Sequence, residues 1–130
     1  MVVCCEVGSF VYVLVLALRV DLPLALICEV GKLPSPTVSV FKSMSHISSS
    51  ISNDIEGNRI EMEQNLILSG ALVVVVDDVL ATGKTFCVVL DLLDKANVGA
   101  KDVSILVVAE FSIHCGRELL CQRGYGGVDV

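Results

Sequence analysis

The chain has 130 residues, which is enough for one domain but not comfortably for two. Its formal net charge is −6 and it has no basic patch, which argues against nucleic-acid binding through phosphate neutralisation. Hydrophobic residues make up 54% of the chain, so either a sheet buried on both faces or a membrane segment must be considered.

The membrane candidate is the N-terminal stretch of residues 1–18, whose single charged side chain is Glu6. This stretch lies at the lower edge of the length that spans a bilayer, and no Lys or Arg precedes it as in a signal peptide. We interpret it as a buried strand followed by a buried helix and expect no membrane contact. Insertion into a membrane is the alternative, because length alone does not decide.

The six cysteines include no pair with the C-x-x-C spacing of a zinc site or a redox motif. Most of them lie inside apolar runs, where cysteine behaves as a small hydrophobic residue. This usage indicates a reducing setting, and we expect a cytoplasmic protein.

Short apolar runs that predict strands alternate with stretches of helical composition. The predicted strands are residues 2–6, Leu24–Glu29, Thr37–Phe41, Arg59–Glu63, 72–76, 103–109 and 128–130. The predicted helices are residues Phe10–Val20, 85–97 and 113–123. This alternation predicts an α/β fold with a mostly parallel sheet, in which ligands bind beyond the carboxyl ends of the strands.

Six serines crowd residues 43–53, between the predicted strands Thr37–Phe41 and Arg59–Glu63. A segment with so little to bury predicts a mobile loop. The two flanking strands can then pair as the arms of a hairpin.

The strongest chemical signal follows the predicted strand 72–76. Two acids, Asp77 and Asp78, come first, and a short loop of small residues leads into the predicted helix. Adjacent carboxylates at a strand end can accept hydrogen bonds from two vicinal hydroxyls. The loop amides, the positive end of the helix dipole and the hydroxyls of Thr82 and Thr85 can hold a phosphate. The ensemble suits a sugar phosphate with cis hydroxyls.

One rival interpretation of this segment is the nucleoside-triphosphate loop, G-x-x-x-x-G-K-[ST]. Gly83, Lys84 and Thr85 fit the end of that motif. The motif requires a glycine five positions before Gly83, where Asp78 stands, and an acid there would repel a triphosphate. We reject the rival on that ground.

Residues 73–85, VVVVDDVLATGKT, resemble the phosphoribosyl-diphosphate signature of type I phosphoribosyltransferases. The resemblance implies a Rossmann-like core in which Asp77 and Asp78 bind the ribose 2′- and 3′-hydroxyls. It also implies a binding loop for the ribose 5′-phosphate at Ala81, Thr82, Gly83, Lys84 and Thr85. The alternative is a buried strand with an acidic turn and a helix cap.

Further segments resemble the adenine branch of that family. Gly-Lys-Leu-Pro-Ser-Pro-Thr at residues 31–37 is similar to its GKLP-x-PT segment, and residues 60–62 and 116–118 agree less specifically. The likeness covers residues 24–125. Phe111 falls near the place where that branch sets an apolar residue against the purine, so it either stacks on a base or belongs to the core.

Departures from the family pattern put turnover in doubt. Lys84 replaces the second glycine of the usual A-T-G-G-T, although Gly83 keeps the tight turn and we expect phosphate binding to survive. Residues 7–10 lack the arginine of the family's diphosphate loop, and residues 28–30 lack its basic residues. Positive charge of this kind usually supplies the largest catalytic term when a charged group leaves.

The serine-rich segment matches the family's catalytic flexible loop by position. A family acid there maps to Asp54 or Glu56, and the sequence does not choose between them. A solvated surface loop is the alternative. We expect a single phosphoribosyltransferase-like domain over residues 1–130, without the family's N-terminal base-covering segment and with its C-terminal strand cut short.

Three functional hypotheses remain open. The first is phosphoribosyl transfer from phosphoribosyl diphosphate to a purine base, most simply adenine, in purine salvage. The resemblance then implies Mg²⁺ carried by the diphosphate and ribose oxygens, and a homodimer. The second is a catalytically weak or inactive module that binds phosphoribosyl diphosphate or a nucleotide. The third is a truncated fragment.

Overall fold

A computed structural model describes residues 1–5, 8–42 and 59–130. Within them, seven strands form one sheet: β1 (Val2–Cys5), β2 (Leu24–Glu29), β3 (Thr37–Phe41), β4 (Arg59–Glu63), β5 (Val73–Leu80), β6 (Val103–Glu110) and β7 (Val128–Asp129). Its flanking helices are α1 (Phe10–Val20), α2 (Lys84–Lys95) and α3 (Gly116–Gln122). The predicted loop at residues 43–53 and the two candidate acids, Asp54 and Glu56, lie outside the described residues.

The strand order is β3-β4-β2-β1-β5-β6-β7. Strands β2, β1, β5, β6 and β7 run parallel to one another, whereas β3 and β4 form an antiparallel hairpin that joins the sheet through β2. Their Val- and Leu-rich composition suits strands that are covered on both faces. The predicted α/β fold, the mostly parallel sheet and the hairpin are therefore confirmed.

The helices cover opposite faces of the sheet. On one face, Val13 and Ala17 of α1 pack against Cys4 and Val76. On the other face, α2 and α3 pack against a larger core through buried side chains that include Phe86, Leu90, Leu93 and Leu120. In the part of the chain that the structure describes, no helix combines the length and the apolar character needed to cross a bilayer.

A buried carboxylate anchors the turn that joins β2 to β3. Glu61, on β4, is only 4% exposed. It accepts hydrogen bonds from the N–H groups of Gly31 and Leu33 at 3.0 and 3.1 Å, and from the Thr37 hydroxyl at 3.0 Å. Three donors compensate the burial of its charge and fix the path of the turn.

Several predicted element bounds are wrong. The strand predicted at residues 72–76 continues to Leu80, because β6 supplies backbone partners as far as Glu110. The helix predicted at residues 85–97 begins at Lys84 and ends at Lys95, and Asn97 beyond it has a left-handed backbone. The helix predicted at residues 113–123 is two pieces, a 3-10 helix at Ser112–His114 and then α3. Left-handed Cys115 separates these two pieces.

Candidate functional site

The carboxyl ends of β1 and β5 lie where the helical connections of the sheet diverge, and we call this place the crevice. The two strands are parallel neighbours, with Cys4 opposite Val76. Helix α1 follows β1 on one face of the sheet, and α2 follows β5 on the other. Ligands of open α/β sheets bind where successive connections diverge in this way. The motif singled out from the sequence lies at this point.

The two acids of the motif lie within β5, two and three residues before its last residue, Leu80. This corrects the expectation that they follow the strand, and the reason is the continued pairing of β5 with β6. Asp77 accepts a hydrogen bond from the Asp78 N–H, and Asp78 accepts one from the Val79 N–H, both at 2.9 Å. Each carboxylate is thus oriented by the backbone next to it and keeps further acceptor sites.

Burial changes the titration of the first acid. It raises the pKa of Asp77 from 3.8 to about 6, with the Asp78 N–H acting against the shift and the Asp78 carboxyl adding to it. A carboxyl with a pKa near 6 is still mainly ionised at pH 7 and can accept hydrogen bonds from hydroxyls. The Asp78 side chain is exposed, and the pair therefore has one half-buried and one open member.

The loop after β5 is three residues long and leads directly into α2. Gly83, the residue before α2, has a φ of +78°, a conformation that favours glycine, and it has no side chain with which to cap the helix. The Thr82 hydroxyl accepts a hydrogen bond from the Lys84 N–H at 3.5 Å. The first N–H groups of a helix have no partner within it, and those of α2 open toward the same strand end as the acids. Such an end is suited to an anion.

The start of α3 packs against the loop after β5 and restricts its position. A Cβ added to Gly116, the first residue of α3, would overlap the Ala81 carbonyl oxygen and lie 2.9 Å from a Leu80 methyl carbon. A Cβ on Gly83 would lie 3.0 Å from the Gly116 carbonyl oxygen. Two glycines therefore permit direct backbone contact between the loop after β5 and the start of α3.

The end of β6 contributes an aromatic ring and an ion pair. Phe111 donates its N–H to the Leu80 carbonyl at 2.8 Å, yet its side chain is 54% exposed, so it is not a core residue. The Glu110 carboxylate accepts hydrogen bonds from Nε and Nη2 of Arg117, the shorter of them at 2.6 Å. Nη1 of Arg117 also donates to the Val128 carbonyl at 2.7 Å. Hydrogen bonding to Arg117 holds the pKa of Glu110 below its ordinary value.

Sequence analysis matched residues 7–10 to the family's diphosphate loop but did not predict how closely Gly8 approaches the acids. A Cβ on Gly8 would lie 3.4 Å from an Asp78 carboxylate oxygen, so the chain before α1 passes close to the acids. Ser9 is buried and donates its hydroxyl to the Cys5 carbonyl at 3.2 Å.

A cavity of about 250 Å³ lies away from these residues, between the far end of α2 and the β3–β4 hairpin. Lys95 and Asn97 line it together with Val38, Met62 and Leu66. The length of α2, roughly 18 Å for its twelve residues, separates this cavity from the loop after β5. It is therefore not part of the crevice.

Comparison with known proteins agrees with this geometry. Residues 1–117 match the phosphoribosyl transferase domain. The chain belongs to that family. It is 33% identical to the adenine phosphoribosyltransferase of Roseiflexus castenholzii over 92% of this chain and 63% of that protein. It is 34% identical to that of Solidesulfovibrio magneticus over 96% of this chain and 66% of that protein.

A solved structure extends the likeness to the fold. The APRTase of Giardia lamblia complexed with 9-deazaadenine is 25% identical and superposes with a TM-score of 0.82, covering 98% of this chain and 65% of that one. The resemblance to type I phosphoribosyltransferases of the adenine branch is confirmed. This phosphoribosyl transferase chain spans 63–66% of the length of these three relatives.

The structure brings together most of the predicted site residues of this phosphoribosyl transferase domain. Asp77, Asp78, the loop at residues 81–85 and Phe111 surround the carboxyl ends of β5 and β6. Their predicted roles toward ribose, phosphate and base stay predictions. In the described ranges, no group of three or more His, Cys, Asp or Glu side chains could hold a metal ion.

Proposed function

We propose that this chain transfers a phosphoribosyl group from phosphoribosyl diphosphate to a purine base, adenine, with release of diphosphate. The observation that carries the proposal is the juxtaposition of Asp77 and Asp78 with the uncapped start of α2, at one strand end. The adenine phosphoribosyltransferase names of the relatives support the choice of base.

Each part of the crevice has a role in this proposal. Asp77 and Asp78 accept hydrogen bonds from the ribose diol, while the amides and hydroxyls of residues 81–85 bind the 5′-phosphate. Phe111 presents an exposed ring beside Leu80, on which a purine can stack. The chemistry then rests on positioning the reactants and on neutralising charge rather than on a protein nucleophile.

Magnesium fits this arrangement as a partner of the ligand. The crevice offers carboxylate oxygens, which suit a hard cation, but the described residues contain no cluster that would hold the ion alone. Mg²⁺ would therefore be held mainly by diphosphate and ribose oxygens, with Asp77 and Asp78 beside it. When bound, the ion supplies neutralisation of the leaving diphosphate.

A second candidate function is binding of phosphoribosyl diphosphate with little turnover. The first basic residue of the chain is Arg19, so the segment that leads from β1 into α1 has no cation to neutralise a diphosphate. The loop at residues 81–85 does have a cation, Lys84, beside the amides proposed to bind the 5′-phosphate. Binding without catalysis is the expected result if the missing charge dominates the barrier.

Binding is tested by isothermal titration calorimetry with phosphoribosyl diphosphate and Mg²⁺. The double variant Asp77→Asn, Asp78→Asn should lose detectable binding, because amides cannot replace two anionic acceptors at the diol. Asp94→Asn, an exposed acid on α2, is the matched control and should bind like the wild type. Unchanged affinity of the double variant would refute the assignment of the acids.

Turnover is tested separately with purified protein and adenine, guanine or xanthine as the acceptor. Formation of adenosine monophosphate above background supports the transferase. Binding of phosphoribosyl diphosphate without product from any of the three bases would favour the second candidate. Absence of both binding and product would remove both proposals.

We also propose that residues 1–130 form a single cytoplasmic domain that pairs with a second copy of itself. Exposed apolar side chains recur along α1 at the spacing of one helix face, at Val11, Leu14, Val15 and Leu18. An apolar stripe of this kind typically marks an interface. Light scattering should give a dimer mass for the wild type and a monomer mass for Leu14→Glu with Leu18→Glu, whereas Leu72→Glu should stay dimeric.

A further inference from the structure

Arg117 connects the end of β6 to the start of α3 and to β7. Its Nε and Nη2 donate to the Glu110 carboxylate, and its Nη1 donates to the Val128 carbonyl at 2.7 Å. One guanidinium thus uses three nitrogens at once, which its planar fork permits and a lysine ammonium does not reproduce. Glu110 is the last residue of β6, and its side chain is only 18% exposed. The pair therefore fixes the point at which the chain leaves the sheet.

Phe111 follows this point directly, and its ring has little packing to hold it, since the residue is 54% exposed. Its backbone, in contrast, is held on both sides. The Phe111 N–H donates to the Leu80 carbonyl at 2.8 Å, and the Phe111 carbonyl accepts the His114 N–H at 3.1 Å. Together with the anchored side chain of Glu110, these bonds fix the backbone from which the exposed ring projects. A ring presented in this way is preorganised for a ligand.

The same arginine lies next to the contact between α3 and the loop after β5. Gly116 precedes Arg117, and its backbone approaches Ala81 so closely that no Cβ fits. Leu80, which accepts the Phe111 N–H, is the last residue of β5 before that loop. The ring proposed for the base and the loop proposed for the 5′-phosphate are therefore held by one frame, and Arg117 anchors the part of it that carries the ring.

We propose that Arg117 is a positioning residue for the purine base, which acts through Glu110 to orient Phe111 as the ring on which the base stacks. The inference rests on the proposed function, since it needs a base beside that ring. It deepens that function by naming a residue that strengthens binding of the base without contacting it. Loss of the guanidinium should then affect only ligands that contain a base.

The test measures binding of two ligands by NMR titration, adenosine monophosphate and ribose 5-phosphate, which lacks the base. Arg117→Lys keeps the charge but cannot hold Glu110 and Val128 together. It should weaken adenosine monophosphate by about tenfold, which is within the range for one base stacked on an aromatic ring. Its affinity for ribose 5-phosphate should not change.

Arg123→Lys is the matched control. Arg123 directly follows α3 and donates hydrogen bonds to the Asp91 carboxylate and the Cys87 carbonyl, both on α2. It loses the same fork geometry without touching Glu110, so both affinities should stay at their wild-type values. Glu110→Gln is a second variant, and it should weaken adenosine monophosphate by about threefold, because a neutral acceptor forms weaker hydrogen bonds. A cooperative melting transition reports on folding in every sample.

A double variant shows whether Arg117 acts through the ring. Phe111→Leu alone should weaken adenosine monophosphate by about tenfold, because it removes the stacking surface. Arg117→Lys in that background should cause no further loss, because the interaction that it supports is already absent. A general disturbance of the fold would instead add its own loss to that of Phe111→Leu, and such additivity would overturn the inference.

Failure of the inference is distinct from failure of the proposed function. Wild-type affinity for adenosine monophosphate in the folded Arg117→Lys and Glu110→Gln variants would overturn the role of Arg117 alone. Equal weakening of ribose 5-phosphate would also overturn it, since the effect would then lie in the loop after β5. A wild-type protein that does not bind ribose 5-phosphate would instead sink the proposed function, and with it this inference.

Discussion

Gly116 and Ala81 are in backbone contact, so close that a Cβ on Gly116 would overlap the Ala81 carbonyl oxygen. We expect Gly116→Ala to displace the loop after β5, because neither backbone can yield as a flexible side chain would. The variant should lose about 1–3 kcal/mol of unfolding free energy, as overpacked sites do. It should also bind inorganic phosphate more weakly than the wild type. Urea denaturation and NMR titration measure the two effects.

Gly126→Ala is the control for this substitution. A Cβ at Gly126 meets no atom within 4 Å, and its φ is not in the left-handed region. The same chemical change should therefore leave stability and phosphate binding near wild-type values. Wild-type phosphate affinity in Gly116→Ala would show that α3 does not hold the loop.

Glu61 provides a stability prediction that does not involve the crevice. Glu61→Ala should destabilise the fold by roughly 3 kcal/mol, because three donors lose their acceptor. Glu61→Gln keeps one oxygen and should cost roughly half as much. Glu63→Ala, an exposed acid on the same strand, should stay within about 0.5 kcal/mol of the wild type in urea denaturation. Equal losses at both positions would contradict the anchoring role.

The sequence predicted the fold well because its strands are short, apolar and rich in β-branched residues. Phe10–Val20, Leu24–Glu29, Thr37–Phe41 and Arg59–Glu63 were bounded correctly. Periodicity could not give the true end of β5, because Asp77 and Asp78 have low strand propensity and only pairing with β6 keeps them in the sheet.

The site was predictable where a contiguous motif carries it and not where the fold assembles it. Residues 77–85 are such a motif. The approach of Gly116 to Ala81 joins residues 35 positions apart, and the approach of Gly8 to Asp78 joins residues 70 positions apart. Neither relationship leaves a local pattern, because each depends on where two elements end in the folded sheet.

The raised pKa of Asp77 predicts how stability changes with pH. Between its ordinary value of 3.8 and about 6, the folded chain binds this proton more often than the unfolded chain does. The contribution of Asp77 to stability therefore falls as pH rises through that window and is constant above it. Asp77→Asn abolishes this term while its amide oxygen can still accept from the Asp78 N–H.

Denaturation of the wild type and Asp77→Asn at several pH values checks the sign. The stability of the variant relative to the wild type should increase from pH 4 to pH 6 and then level off. Titrating groups that do not interact with Asp77 are common to both proteins and cancel in the difference. A difference that does not vary with pH, or one that decreases over this range, would contradict the raised pKa.

Lys84 occupies the first position of α2, where a cation opposes the helix dipole and where the family usually has glycine. Its side chain is exposed, so it does not block the approach of an anion. We expect Lys84→Gln to raise unfolding stability by about 0.3–1 kcal/mol and to weaken inorganic phosphate by roughly two- to fivefold. The loss of affinity should shrink as salt is raised, because an exposed charge is screened.

Lys101→Gln, which removes an exposed charge elsewhere, should change phosphate affinity little. Unchanged phosphate affinity of Lys84→Gln at low salt would show that the Lys84 charge does not contribute to binding. The amides of the loop after β5 would then hold the anion without it.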